Sequence, residues 1–526
     1  MTSFDTASRK VLSDFLQTAV VIDDRAYAKK EEPAAELITP GRGSATVDDS
    51  GESPARTQSA HELDTELLVK SFAHEGLVCA VIAPPPEHMD IAKHLGRVAK
   101  RCDIVVIDWQ IFADDGERTR RLIKDLCKKD CGNRLRLLCV YSGETDLEKI
   151  SNKLNDEIDG FVTYSDDKFL LRKDHVIVTI LGKRKVREDK LAKMLLNRFS
   201  AFTKGLLSNA VLAALAGIRS NVHRIVQKFD AELDPAYISH RIMSVPVDSV
   251  EREILSLIAS ELESVVHHSK ASSYIDSNFI KKWMDSDAGK RIKYDILPGK
   301  NEEGPDLLRQ LIEFGADEER EDASDKFKAA CTQVTTPKSA RKSDLSNLLG
   351  SGDSMETDRR FAILSTVETR YEDYIPQLTL GSIVHYEERY FLCLLPRCDC
   401  ARVPVGGRNF LFIRFTKNPP EIDLIVNDGG KMVDLGISRH PYDTEIYRFA
   451  TSTDRTPVTA RKIKGKFVFD FPRSDGKVGE MRWVADLKPQ VAQAFANEYA
   501  SQVCRVGVAK SQWLHQLGKK DKTKKK

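Results

Sequence analysis

Two short apolar runs in this chain end on acids. Ala19-Val20-Val21-Ile22 leads into Asp23-Asp24, and Ile104-Val105-Val106-Ile107 leads into Asp108. Runs of β-branched residues without Pro or Gly read as strands buried on both faces, as central parallel strands are. Ligands of an open α/β sheet sit outside the carboxyl ends of its strands, so the three acids are expected to project into one crevice. Three carboxylates held that close repel one another unless a hard cation such as Mg²⁺ neutralises them.

The elements needed to position these acids can be followed along the chain. Residues 4–17 form a short amphipathic helix or extension, with Val11, Leu12, Phe15 and Leu16 on one side. The first strand follows, and residues 28–60 turn to Pro, Gly, Ser, Thr and acids without periodicity, a flexible insert beside Asp23 and Asp24. That insert would be a lid over the crevice or a tolerated surface loop. His61 to Phe72 has Leu63, Leu67 and Phe72 at helical spacing, with Gly76 as its C-cap. Leu77 to Ile82 is a second strand, Pro84-Pro85-Pro86 blocks helix until about His88, and Asp90 to Arg101 is a second helix. After the third strand come a helix from Gly116, a strand at Leu135 to Tyr141, a helix at Asp146 to Ile158 and a strand at Asp174 to Leu181. This alternation predicts an α/β fold, a doubly wound five-stranded parallel sheet, over residues 1–185.

The segment Asp108-Trp109-Gln110-Ile111-Phe112-Ala113-Asp114-Asp115-Gly116, an acid followed by a loop closing on Asp-Gly, resembles the third-strand motif of the receiver domains of bacterial two-component response regulators. The resemblance covers about the first third of the chain. It implies that Asp108 accepts a phosphoryl group, and that Asp23 or Asp24, Asp108 and the Gln110 backbone carbonyl hold Mg²⁺. The fourth-strand match, Leu137 to Gly143, puts Ser142 where that family has its hydroxyl residue. Lys183, closing Val176 to Gly182, takes the place of the family lysine; an alignment through Asp159-Gly160-Phe161-Val162 would use Lys168 instead. The sequence departs from the family pattern at Phe112, where a Pro is usual, and at Arg184, where the proline after the lysine is missing. A phosphoryl group arriving on Asp108 develops charge on its equatorial oxygens, which Mg²⁺ and the lysine would stabilise. Ser142 would then move toward those oxygens and reshape a distant face. The implied partner is a histidine kinase or a related ATPase.

Length and composition fit several domains rather than one. The chain has 526 residues and a net charge of +2, which gives no global electrostatic case for nucleic acid. Ten cysteines without regular pairing indicate a reducing compartment, and no signal peptide or apolar run of membrane-spanning length is evident, so a cytoplasmic location is expected.

Residues 186–315 read as an α-helical coupling or dimerisation region, with helices at Val186 to Leu206, Leu207 to Phe229, Pro235 to Met243 and Asp248 to Val266. Val211, Leu215, Ile218, Val222, Ile225 and Phe229 step by four and three, a packing seam. The last helix carries an Ile254, Ile258, Leu262 and Val265 stripe. Such a bundle would form a homodimer or cover its own core. His223 beside the seam would be a phosphotransfer histidine or an ordinary flanking one. His267-His268 point different ways on a helix, which disfavours a shared metal.

Residues 316–358 read as a linker, 359–518 as a β-rich α+β domain, and 519–526 as a basic, solvated tail. Strands are expected at Leu378 to Val384, Tyr390 to Leu395, Phe410 to Phe415 and Lys466 to Phe471, and a last helix from Pro489 to about Leu517. Cys393, Cys398, Asp399, Cys400 and Arg402 form the concentrated site candidate there. Cys398 and Cys400 on an extended segment would face one way and ligate zinc with Cys393 or His385, although free cysteines serve as small buried apolar residues too and zinc is not expected. Asp399 and Arg402 would be a turn-fixing ion pair or a ligand contact.

These observations predict a cytoplasmic signalling protein: a receiver-like domain that accepts phosphoryl and relays it through a helical region to a C-terminal output domain, at most a phospho-acceptor rather than an enzyme. By architecture, such a protein would suit a bacterial antiviral or conflict system. The alternative is a pseudo-receiver scaffold that takes no phosphate and assembles with a kinase-like ATPase. A third reading places a catalytic or metal site at Cys393 to Arg402.

Overall fold

The computed structural model describes residues 2–26, 63–85, 89–128, 134–158, 160–163, 167–173, 176–244, 248–290, 304–335, 354–371, 374–438, 440 and 442–503. The insert at 28–60 and the basic tail lie outside the described residues, as do Pro86, His88, the middle of the expected linker and the end of the expected last helix. The chain divides into two compact units, residues 1–227 with 261–291, and residues 228–260 with 292–526.

The first unit is built on strands β1 (Thr18–Ile22), β2 (Val78–Ile82), β3 (Ile104–Asp108), β4 (Arg136–Ser142) and β7 (Val176–Gly182), all parallel in the order β2-β1-β3-β4-β7. Two further strands, β5 (Val162–Thr163) and β6 (Leu170–Lys173), extend the β7 edge antiparallel, so among the described residues the sheet is seven-stranded and mixed. The five predicted parallel strands are present, and the addition at the edge corrects the expectation of a sheet that is five-stranded and parallel throughout.

Alternate residues of the central strands go to opposite faces, and helices cover both. On one face Val21, Ile104, Val106, Leu137, Cys139 and Ile177 pack with α1 (Ser3–Phe15), α2 (Thr65–His74) and α6 (Glu188–Thr203). On the other, Val20, Ile22, Val105, Ile107, Leu138 and Val140 pack with α3 (Ile91–Ala99), α4 (Glu117–Leu126) and α5 (Leu147–Glu157). Caps mark the starts: Thr2 and Asp5 make a reciprocal capping box on α1, and Asp64, Asp90 and Asp146 accept backbone N–H bonds at the heads of α2, α3 and α5.

No break in packing falls at residue 185. Leu191, Leu195, Leu196 and Phe199 of α6 belong to the same core as β1 and β3, and the unit continues into α7 (Leu206–Lys228). The seam expected along α7 is not buried: Val211, Leu215 and Val222 are 56%, 42% and 50% exposed, whereas Asn209, Ala210 and Leu212 are the buried positions. The chain then forms α8 (Asp234–Met243) and α9 (Asp248–His268).

Among the described residues of the second unit, nine antiparallel strands follow the order β11-β12-β10-β9-β8-β16-β15-β14, with β13 paired to β10. These are β8 (Ser382–Tyr386), β9 (Arg389–Cys393), β10 (Arg408–Lys417), β11 (Leu424–Asp428), β12 (Lys431–Ile437), β13 (Thr444–Phe449), β14 (Arg461–Ile463), β15 (Lys466–Pro472) and β16 (Val478–Asp486). β11 and β12 turn at Gly429-Gly430, where φ of 61° and 88° meets the positive values that tight two-residue hairpins need. One sheet face carries Phe391, Phe410, Phe412, Phe449 and Phe469, and the other Ile383, Leu392, Ile413 and Val426 beneath the helix Pro489–Val503. The expected linker at 316–358 is partly folded: Asp325–Thr335 is a helix with Phe327, Ala330 and Cys331 buried, and it packs on the helix Gly304–Phe314. Its charged composition concealed a short apolar repeat at helical spacing.

Candidate metal centre

The register of the sheet determines which strand ends meet. Ile22 pairs with Ile107, Asp108 with Tyr141, and Ser142 with Gly182. Asp23, Asp108, Ser142 and Lys183 therefore emerge at neighbouring carboxyl ends, with Asp24 one residue further on. Oxygens of Asp23, Asp24 and Asp108 all lie within 4.8 Å of one another, and this is the one His/Cys/Asp/Glu group among the described residues with metal-binding geometry.

Each acid is held in place by the local backbone. Asp23 Oδ1 accepts from Arg25 N at 2.8 Å, and Asp24 Oδ2 accepts from Phe112 N at 2.8 Å. Asp108 Oδ1 accepts from Trp109 N at 2.9 Å, and the Asp108 carbonyl accepts from the Thr119 hydroxyl at 2.6 Å. Lys183 Nζ lies 2.8 Å from Asp23 and 3.3 Å from Asp108, so it is Lys183 that reaches the cluster. Lys168, the rival, is exposed and pairs with Glu148. Ser142 is buried, and its hydroxyl accepts from Glu144 N at 3.1 Å. The Gln110 side chain donates to Glu144 at 2.9 Å and accepts from Asp115 N at 3.2 Å. Glu144 was absent from the sequence reading, although its position two residues after Ser142 could have marked it.

The loop after β3 explains the missing proline. Phe112 has φ of 55° and donates its N–H to Asp24; proline, fixed near −65° and without an N–H, could do neither. Gly116 has φ of 83°, and a Cβ there would stand 2.3 Å from the Trp109 ring. Gly116→Ala is therefore expected to destabilise the unit by about 2–4 kcal/mol, from the left-handed backbone and forced displacement of a packed indole. Urea unfolding of the full chain, with Glu117→Ala as the surface comparison, checks this; equal midpoints would remove the constraint.

Burial pushes the Asp108 carboxyl up to about 6; Lys183 opposes that rise, and Asp23 and Asp24 add to it. Burial pulls the Lys183 ammonium down, but Asp108 and Asp23 outweigh it and leave its pKa raised. The cluster thus holds three acids against one cation. Asp24 Oδ1 is buried and has no hydrogen-bond partner. A buried carboxylate oxygen left unsatisfied within an acid cluster fits a divalent-cation ligand, as does a donor set made only of oxygens.

The C-terminal candidates do not assemble. Arg397–Cys400 is a helical turn rather than an extended segment, so Cys398 is exposed while Cys400 is buried with its thiol on the Leu395 carbonyl at 3.3 Å. Cys393 is buried and in contact with Cys400, and His385 packs edge-on to Tyr390 at 4.7 Å. Asp399 pairs with Arg408, not with Arg402, which is exposed. His223 is exposed on α7. His267 faces Glu263 at 3.6 Å while His268 bonds the Ser264 carbonyl, so the two do not converge.

Residues 15–188 match the family model of the response receiver domain. The N-terminal part of the chain is a receiver domain, and this supports a response-regulator-like signalling role. No curated protein and no solved structure matches the chain. Among the described residues no single helix is long and apolar enough to cross a membrane.

Proposed function

We propose that Asp108 is a phosphoryl acceptor and that the chain relays its phosphorylation from the receiver unit to the helical and C-terminal regions. The observation that carries this reading is the convergence of Asp23, Asp24, Asp108 and Lys183 at adjacent strand ends. Oδ1 of Asp108 is engaged by Trp109 N–H and Lys183, which leaves Oδ2 as the attacking atom. It forms the new bond to phosphorus while the P–N bond of a phosphohistidine, or the P–O bond of an acyl phosphate, breaks and its electron pair leaves with the donor. Mg²⁺ held by Asp23, Asp24, Asp108 and the Gln110 carbonyl would neutralise charge on the transferred group. Lys183 shifts from its carboxylates to a phosphoryl oxygen, and the Ser142 hydroxyl donates to another. The Tyr141 hydroxyl, bonded to the Val186 carbonyl at 2.7 Å, connects the end of β4 with the head of α6 and supports a route toward α7. The partner that would supply a phosphohistidine is a histidine kinase or a related ATPase.

The buried Lys183 ion pairs favour a second reading, in which Lys183 permanently closes the pocket and the unit is a scaffold that never takes phosphate. Treatment of the full chain with acetyl phosphate and Mg²⁺ distinguishes the two. The acceptor reading expects acid-labile, hydroxylamine-sensitive phosphate and a Phos-tag shift that disappear in Asp108→Asn; a shift that persists in that variant would place the phosphate on another residue and overturn the acceptor reading, and no shift in the native chain supports the scaffold.

A further inference from the structure

We infer that the chain self-associates through α7, with the exposed face of one helix packed antiparallel against the same face of a second copy. The helix uses two sides. Asn209 and Leu212 are buried, and Ala213 and Ala216 pack on the receiver core. Val211, Leu215, Ile218, Val222 and Ile225 lie roughly half a turn away, at about 100° per residue. Along that far side Leu207, Val211, Leu215, Val222 and Val226 are all 42–63% exposed. Ile218 and Ile225, which complete the alternation of four and three that marks a seam made for another helix, are half-buried, and they lie beside the five large apolar side chains that one helix here leaves in water as a sticky surface.

Charge and register favour a second copy. The helix carries no acid, and its cations Arg219, Arg224 and Lys228 all fall in its second half, leaving Leu206 to Ile218 uncharged. Parallel pairing would set these cations beside their counterparts, whereas antiparallel pairing lays each basic half along an uncharged one. Arg219 is in any case turned inward, over the Phe15 ring at 4.3 Å with its guanidinium on the Phe15 carbonyl. The seam spacing is also its own mirror image about residue 220. In a two-fold pair Ile218 meets Val222 and Leu215 meets Ile225, so one surface supplies both halves of the contact.

Light scattering of the full chain during size exclusion, at micromolar concentration, tests this. The native chain should have twice the single-chain mass. Leu215→Glu, Val222→Glu and Ile225→Lys should each return it to one chain, with circular dichroism melting unchanged for the two Glu variants because both positions are exposed. Leu215→Glu combined with Ile225→Lys should recover the doubled mass, since only the antiparallel register brings those charges together. A native chain of single mass would assign the seam to a different protein and overturn the inference, as would a doubled mass that survives Val222→Glu. A double variant no better associated than its singles would overturn the antiparallel pairing.

Discussion

Replacing Lys183 with Met is expected to cost the receiver unit about 3–5 kcal/mol in metal-free buffer near neutral pH, the range for removing one partner of a buried ion pair. The side chain is 3% exposed and stands between Asp23 at 2.8 Å and Asp108 at 3.3 Å. A surface lysine would cost almost nothing by comparison, because exposed pairs contribute at most about 1 kcal/mol. The size of the effect comes from the two carboxylates left facing each other without a cation. The raised pKa of Lys183 gives the sign: stability from a base held above its ordinary value of 10.5 is fully present below that pH, so all of it is at stake at neutrality. Two treatments should restore part of the loss for the same reason. At pH 5 protons neutralise Asp108, and Mg²⁺ supplies at any higher pH the positive charge that Met cannot. Urea unfolding at pH 7.5 and pH 5, with and without Mg²⁺, measures all three effects. A variant within about 0.5 kcal/mol of the native chain under every condition would mean that Lys183 does not hold this cluster together.

The parts of the site that sequence could reveal are those determined by local pattern. Strand β3 is apolar on both faces and then stops on an acid, and both facts are read from the five residues Ile104–Asp108. The shape of the loop that follows is different, because Phe112 is held by Asp24, 88 positions away in the chain, and local propensity alone disfavours φ of 55° for Phe. The antiparallel edge was hidden for another reason. Val162–Thr163 is two residues long and exposed, and it is a strand because Leu171 and Arg172 pair with it. The cysteine segment shows the opposite failure, a local assumption applied where the chain turns. Pro396 opens a short helical turn, as proline does well at helix starts, and that sends Cys398 and Cys400 to different environments. The seam of α7 was fully legible as spacing; what spacing could not tell is whether this chain buries it.

Mg²⁺ binding is expected to weaken about tenfold for each pH unit below about 6 and to level off above it, because a proton and the cation compete for Asp108. An acid held above its ordinary value of 3.8 gives the metal-free unit stability that is fully present below that pH and is lost as pH rises through about 6. The cation acts in the reverse sense, since it needs the ionised form. At a Mg²⁺ concentration a hundredfold over the pH 7.5 Kd, the cation should therefore stabilise the unit by about 2.7 kcal/mol at pH 7.5 and by only about half of that at pH 5, with a correspondingly smaller rise in melting temperature. Asp24→Asn separates ligation from titration. Asn retains an oxygen for the Phe112 N–H but removes the charge and the unpartnered Oδ1. The variant should lose most of the Mg²⁺ response and keep most of the pH dependence of the metal-free unit, because burial of Asp108 is the main cause of that dependence and Asp24 only a lesser one. Differential scanning fluorimetry of both proteins from pH 5 to pH 8 reads this directly. A Mg²⁺ shift of equal size across that range, or one undiminished in Asp24→Asn, would place the cation somewhere other than among these three carboxylates.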